Sequence, residues 1–321
     1  MLKKSKFLLS TIAIAFSVFA LNFSSPASAE VKEKSKWVDS NNDGLVDKEK
    51  LSKEEKEKFD KRAAEIDAYF AKIAELKSKI NALENRIKTE DDENLSKELA
   101  TLQDELYDLE NNTEKNIGLK KVGKTNPNSG LVATAASTAS DLTMSGTIYL
   151  DVFNPSQWVA RGDWDWKNSN WANDRSGSGD VGKLDGFAVI LDEDIDIYSY
   201  KLRTYWSYSG KESTPGTVYN DKSEADNGWG WKWQDKISYD QTSTGGSVKT
   251  YNSGSGIATI YFKFENPNTG SGDTVEISTE YAHTWSSTNV DNISFSLTDI
   301  SFSFSSSSAR WSDEGNWPIE L

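Results

Sequence analysis

The run Asp39-Ser40-Asn41-Asn42-Asp43-Gly44-Leu45-Val46-Asp47 sets oxygen donors at alternate positions. In that spacing the first, third and fifth side chains point at one ion, the glycine takes a sharp bend, and the next residue offers its carbonyl. Converging hard oxygens suit a divalent cation of the calcium kind. A second pattern suits other chemistry. Trp164 and Trp166 alternate in Gly162-Asp163-Trp164-Asp165-Trp166, with Trp171 close behind, and Trp229, Trp231 and Trp233 alternate in Gly228-Trp229-Gly230-Trp231-Lys232-Trp233-Gln234. Period two puts each set on one face of a strand. A flat aromatic face stacks on the C–H groups of a sugar ring, and flanking Asp, Asn and Gln bond its hydroxyls. The functional reading of Trp164, Trp166, Trp229, Trp231 and Trp233 is a glycan-binding platform. The structural reading is the core of a sheet. Eleven of the 12 tryptophans lie beyond Asp141, more than one core normally needs.

The acidic run resembles an EF-hand loop and the D-x-D-x-D-G loops of secreted bacterial calcium proteins. The resemblance covers residues 39–50 alone. It implies Asp39, Asn41, Asp43, the Leu45 carbonyl and Asp47 as ligands, and Ca2+ as a structural cofactor. The departure is Lys50, which stands where the EF-hand has a bidentate Glu; Glu49 comes one residue early, and Glu54 or Glu55 could reach back. A weakened single site suited to extracellular calcium is expected. The alternative is an Asp/Asn turn that caps the next helix. The β region resembles no family.

Catalysis finds little support. His283 is the sole histidine, so a triad has one possible base, and no G-x-S-x-G elbow is present. The absence of cysteine removes disulfides, thiolate zinc sites and thiol nucleophiles. A carboxylate pair of the glycoside-hydrolase kind is the open route. Glu276 and Glu280 share strand parity, and Asp192, Glu193, Asp194 and Asp196 crowd one segment, but nothing singles out a pair.

Three regions must position these residues. Phe59, Ile66, Ile73, Ile80 and Ile87 recur every seventh residue, with Tyr69, Leu76 and Leu83 three residues on, a heptad seam. Leu95, Leu99, Leu102, Leu106 and Leu109 form a second seam, out of phase with the first across Thr89–Asn94. An antiparallel αα-hairpin coiled coil over 52–118 is expected, and one long helix with a stutter is the alternative. Residues 119–140 read as linker, rich in Lys, Gly, Asn and Ser. Residues 141–321 alternate with period two between Gly, Asn and Ser turns, as in Ile293–Leu297 and Ile300–Phe304, which predicts an all-β sandwich of jelly-roll kind. The fold class is therefore α+β, multidomain, with a calcium-loop segment over 30–51.

Residues 1–29 read as a signal peptide: Lys3, Lys4 and Lys6, an apolar run from Phe7 to Leu21, and Ala27-Ser28-Ala29. A secreted, extracellular protein of Gram-positive type is expected. The net charge of −14 argues against a nucleic-acid partner. The reading is a secreted, non-enzymatic protein that binds a glycan or cell-surface polymer, with self-association through the helical hairpin as a further possibility. The alternative is a β-pore-forming protein, in which the amphipathic pair around 293–304 would enter a membrane. Those runs are shorter than the ~9–11 residues a spanning strand needs.

Overall fold

A computed structural model describes residue 39 and residues 44–87, 93–123, 141–213, 215, 217–222, 226–242 and 245–321, all within the unit Lys36–Leu321. The signal-peptide reading, the turn between the helices and most of the expected linker lie outside the described residues.

Ser52 and Glu55 start the first helix with a reciprocal capping box, Glu55 N donating to Ser52 Oγ (3.2 Å) and Ser52 N to Glu55 Oε2 (2.9 Å). Helix α1 (Lys53–Ile87) follows, then α2 (Glu93–Asn111) and the short α3 (Thr113–Ile117). Two pairs show α1 and α2 running antiparallel: Tyr69 donates to the Leu109 carbonyl (2.7 Å), and Lys72 meets Glu105 (2.8 Å).

The strands in chain order are β1 (Leu119–Lys121), β2 (Leu142–Asp151), β3 (Trp158–Trp166), β4 (Gly179–Leu191), β5 (Ile195–Tyr205), β6 (Glu212–Ser213) and β7 (Val218–Lys222). They continue as β8 (Gly228–Gln241), β9 (Ser247–Tyr251), β10 (Ser255–Phe264), β11 (Thr274–Thr284), β12 (Val290–Phe295), β13 (Ile300–Phe304) and β14 (Arg310–Glu320). Sheet A has the order β1-β2-β3-β10-β5-β6 and sheet B the order β14-β11-β4-β8-β7, with β9 also on β8. Every ladder between the named strands of these two sheets is antiparallel. Since Leu119–Lys121 pairs with β2, the linker expectation is corrected at its start.

The sheets face one another across an aromatic core. On β3 the even residues Trp158, Ala160, Trp164 and Trp166 enter that core, while Val159 joins a separate cluster beneath the helices. Trp164 of sheet A stacks on Trp233 of sheet B, centroids 5.4 Å apart. On the outer side of sheet A, Phe59, Ile66, Phe70 and Ile73 of α1 pack on Tyr149, Tyr198, Tyr205 and Tyr261. Arg62 binds Asp151 with two nitrogens at 3.0 Å each, inside that interface. The helical hairpin is thus a layer on the sandwich.

On the outer side of sheet B lies β12–β13, a two-stranded sheet of its own. Its Val290, Ile293, Ile300 and Phe302 pack on Ala188, Ile190 and Ala282. Gly186 permits the contact, because a Cβ there would sit 2.3 Å from the Phe302 ring.

Candidate functional site

The acidic run closes on itself and then fastens to sheet A. Gly44 N donates to Asp39 Oδ2 (2.6 Å). Gly44 has φ +67°, and a Cβ there would lie 2.9 Å from Asp226, so this bend requires glycine. Ile197 N donates to the Gly44 carbonyl (2.8 Å) and Val46 N to the Ile197 carbonyl (3.0 Å), pinning the loop exit to β5. This brings Asp39 to Asp196 of β5 and Glu265 beyond β10, with one carboxylate oxygen of each within 4.8 Å of the others.

Asp39 Oδ1 is buried and has no hydrogen-bond partner among the described residues. Burial, and then Asp196, Asp194, Asp226 and Asp39, raise the Glu265 pKa. An orphaned carboxylate oxygen beside mutually repelling acids fits a hard divalent cation. Of the ligands implied by sequence, Asp39 belongs to this group. Asp47 pairs with Lys50 (3.2 Å), Leu45 forms a bridge with Ile197, and Asn41 and Asp43 lie outside the described residues. Asp196 and Glu265 are ligand candidates that the loop pattern does not reveal.

A cavity of ≈320 Å³ opens between α1 and the outer face of sheet A. The odd residues of β3 supply its floor: Arg161, Asp163 and Asp165. Register sets Thr143 of β2 and Ser255 of β10 on either side of Asp165, and Ser145 beside Asp163. Asp163 accepts from Lys77 Nζ (3.0 Å), Ser145 Oγ (2.6 Å) and Arg161 Nη2 (3.3 Å). Asn81 of α1 donates to Asp165.

The two carboxyls differ in charge state. Burial alone would raise Asp163, but Arg161 and Lys77 hold it well below the usual carboxylate range. Burial pushes Asp165 up to about 7, against the hydrogen bond from Asn81. Ser255 Oγ and Arg161 Nε are buried without a partner among the described residues. Each such atom costs about 1–3 kcal/mol, and a ligand hydroxyl or ordered water supplies what is missing. A slot of this size with convergent polar groups is what a small polar ligand needs.

His283 lies in the core. Its Nδ1 meets Asp185 Oδ2 (2.9 Å) and its Nε2 meets Asp174 Oδ2 (3.0 Å), so both nitrogens carry protons. Burial would lower its pKa, but Asp185, Asp174 and Asp235 raise it well above the ordinary value. Tyr251 bridges Asp185 (3.0 Å) and Asp235 (2.7 Å). Asp185, Asp235 and His283 have the proximity for a metal, yet they are engaged in hydrogen bonds, His283 with Asp185 and Asp174, and both aspartates with Tyr251. This network holds the core together.

The expected tryptophan platform is corrected. Trp164, Trp166, Trp229, Trp231 and Trp233 are each at most 7% exposed and belong to the sandwich core. Rings so enclosed form no exposed platform, although Trp164 and Trp166 each contribute to the lining of a cavity. The signal for the cleft lay in the same run: alternation that turns Trp164 and Trp166 inward turns Asp163 and Asp165 outward. Glu280, whose parity with Glu276 holds, is buried on sheet B, and burial pushes its pKa to about 8.

No protein-family model matches the chain, and no curated protein matches it significantly in sequence. Among solved structures, one described as "AvmM Catalyzes Macrocyclization in Alchivemycin A Biosynthesis" is similar over 55% of this chain and 94% of that one, at 10% identity and TM-score 0.22. A likeness of that size carries no argument.

Proposed function

We propose that the chain is a secreted binding protein that takes a glycan in the cleft between α1 and sheet A, with calcium fastening its N-terminal loop. The observation that carries the reading is the polar floor of the cleft: Asp163, Asp165, Ser145 and Thr143 beside the partnerless Ser255 Oγ and Arg161 Nε. Hydroxyl-rich ligands suit such a mixture of donors and acceptors. The cations of the cleft, Arg161 and Lys77, already face Asp163, and Lys77 also faces Glu110 (2.9 Å). When bound, calcium would screen the carboxylates of Asp39, Asp196 and Glu265 and hold the loop to β5.

The test is co-sedimentation of the purified protein with washed cell walls and insoluble polysaccharides, with calcium and with EDTA. Thr143 is exposed at the cleft, so Thr143→Trp blocks it without disturbing a buried partner. Pelleting of the wild type and not of the blocked variant supports the reading. Equal behaviour of the two removes it.

A second reading has one observation of its own. The hairpin β12–β13 shares no ladder with either main sheet and lies on sheet B through apolar side chains. A membrane-active role would need it to leave that face. No helix among the described residues is long and apolar enough to cross a membrane. Dye release from liposomes is the corresponding assay, and inert protein across lipid compositions excludes the role.

A further inference from the structure

A second cavity of ≈480 Å³ adjoins the cleft, and Asn81 and Asp165 line both. The two spaces therefore meet at the hydrogen bond from Asn81 of α1 to Asp165 of β3, which a ligand occupying both must open. The second chamber differs in chemistry from the first. Its walls include Trp166, Trp171, Lys167 and Lys249. The Trp166 indole N–H is buried and has no acceptor among the described residues, although the residue is only 7% exposed. It can donate and cannot accept.

Lys249 donates to the carbonyls of Ala172 and Arg175 (2.7 Å each), which are neutral oxygens. Neither Lys167 nor Lys249 meets a carboxylate at ion-pair distance among the described residues. The one acidic side chain of the chamber among the described residues is Asp165, whose pKa burial raises to about 7. The chamber thus offers donors and positive charge, with Asp165 the sole carboxylate in its lining among the described residues.

We infer that the groove takes a glycan chain of two or more units, with a carboxylate-bearing sugar in the chamber beside Trp166, Lys167 and Lys249. This rests on the cleft being a glycan site. A uronate supplies the acceptor that the indole N–H lacks and a negative charge for the two ammonium groups, in charge-assisted hydrogen bonds. Its neighbour in the chain lies across Asn81 and Asp165 and reaches the hydroxyl row of the first chamber. The net charge of −14 opposes an acidic ligand at range. At physiological salt such a field fades over about 8 Å, so the charges of the wall decide binding.

The experiment is calorimetric titration of the purified protein with neutral oligosaccharides and uronate oligosaccharides of matched, increasing length. Lys167 is exposed at the rim, which makes Lys167→Gln a variant that leaves the core untouched. The expected result is an affinity for uronate oligomers at least about tenfold above that for neutral chains and for single sugars. In Lys167→Gln that advantage shrinks. Equal affinity for neutral and acidic chains, no gain with length, or an unaltered Lys167→Gln overturns the inference and leaves the cleft standing. Failure of every sugar to bind, in a protein with a normal melting transition, overturns the cleft reading and this inference with it.

Discussion

Asp163 and Asp165 share the outward face of β3 and titrate to opposite sides of the ordinary carboxylate value. The difference comes first from Arg161 of the same strand and then from Lys77 of α1, both of which meet Asp163, whereas the hydrogen-bond donor to Asp165 is the neutral amide of Asn81. Asp165 at about 7 and Glu280 at about 8 bind protons in the folded chain that the unfolded chain has released. His283 adds to this, its contribution complete below the unfolded histidine value and lost as pH rises through the higher folded one. Asp165 and Glu280 make stability fall as pH rises from about 4 to 8, and His283 adds to the fall only above about pH 6.5. Asp163 acts in the opposite sense, but at a lower pH, where its depressed value lies. The melting temperature should therefore drop between mildly acidic and mildly alkaline buffer. Asp165→Asn should flatten the part of that drop below pH 7, by on the order of 2 kcal/mol after allowing for partial exposure. A melting temperature that is constant or climbs over this range contradicts the assignment.

Calcium should raise the melting temperature and EDTA lower it. A ligand at a hundred times its dissociation constant adds about 2.7 kcal/mol. Asp39→Asn, Asp196→Asn and Glu265→Gln should each weaken the effect, because the three carboxylates converge. Asp196 also pairs with Lys263 (2.8 Å), so its variant should lose intrinsic stability as well. No calcium shift in the wild type, and no heat on titration, would retire the site.

His283→Leu should destabilise the protein by about 3–5 kcal/mol, since it strips a buried partner from Asp185. Asp174→Asn should cost less, because Asp174 is partly exposed and its amide still accepts from Nε2. Urea melts of both variants measure this. Equal and small losses would show that the ring is held by packing alone.

Trp231→Ala and Trp233→Ala should cost about 3–5 kcal/mol each and take any ligand binding down with the fold. A variant that melts normally and has lost binding would restore the platform that burial now denies.

Local periodicity made much of this architecture legible. The seventh-residue recurrence of Phe59, Ile66 and Ile73 marks a helix and Ile300–Phe304 a strand at its place, while the expected strand Ile293–Leu297 overlaps β12 (Val290–Phe295) and runs past its end. What each face would meet was not legible. Phe59, Ile66, Ile73 and Leu76 share one cluster with tyrosines from β2, β5 and β10, while Tyr69 donates to α2; a heptad in sequence does not say that its seam packs on a sheet as well as on a second helix. The cation group shows the same limit. Asp39 stood out by its loop, whereas Asp196 and Glu265 join it through strand pairings distant in the chain. Burial of the tryptophans depended on the second sheet, which no single strand discloses.

The helical layer should be needed for the β region to fold. Arg62 is 6% exposed and Asp151 fully buried, and they meet through two nitrogens. Asp151 also accepts from Tyr261 (2.9 Å), so the pair ties α1 to two strands of sheet A. Arg62→Leu would leave Asp151 buried without its cation and should cost about 3–5 kcal/mol. The double variant Arg62→Leu/Asp151→Asn should recover part of that loss, because the stranded charge is gone. Denaturation of the wild type and both variants decides it. If α1 were a detached spacer, Arg62→Leu would melt like the wild type and the double variant would gain nothing over it. If α1 is a wall of the fold, both lose stability, the single variant more, and the cleft beneath α1 loses its roof as they do.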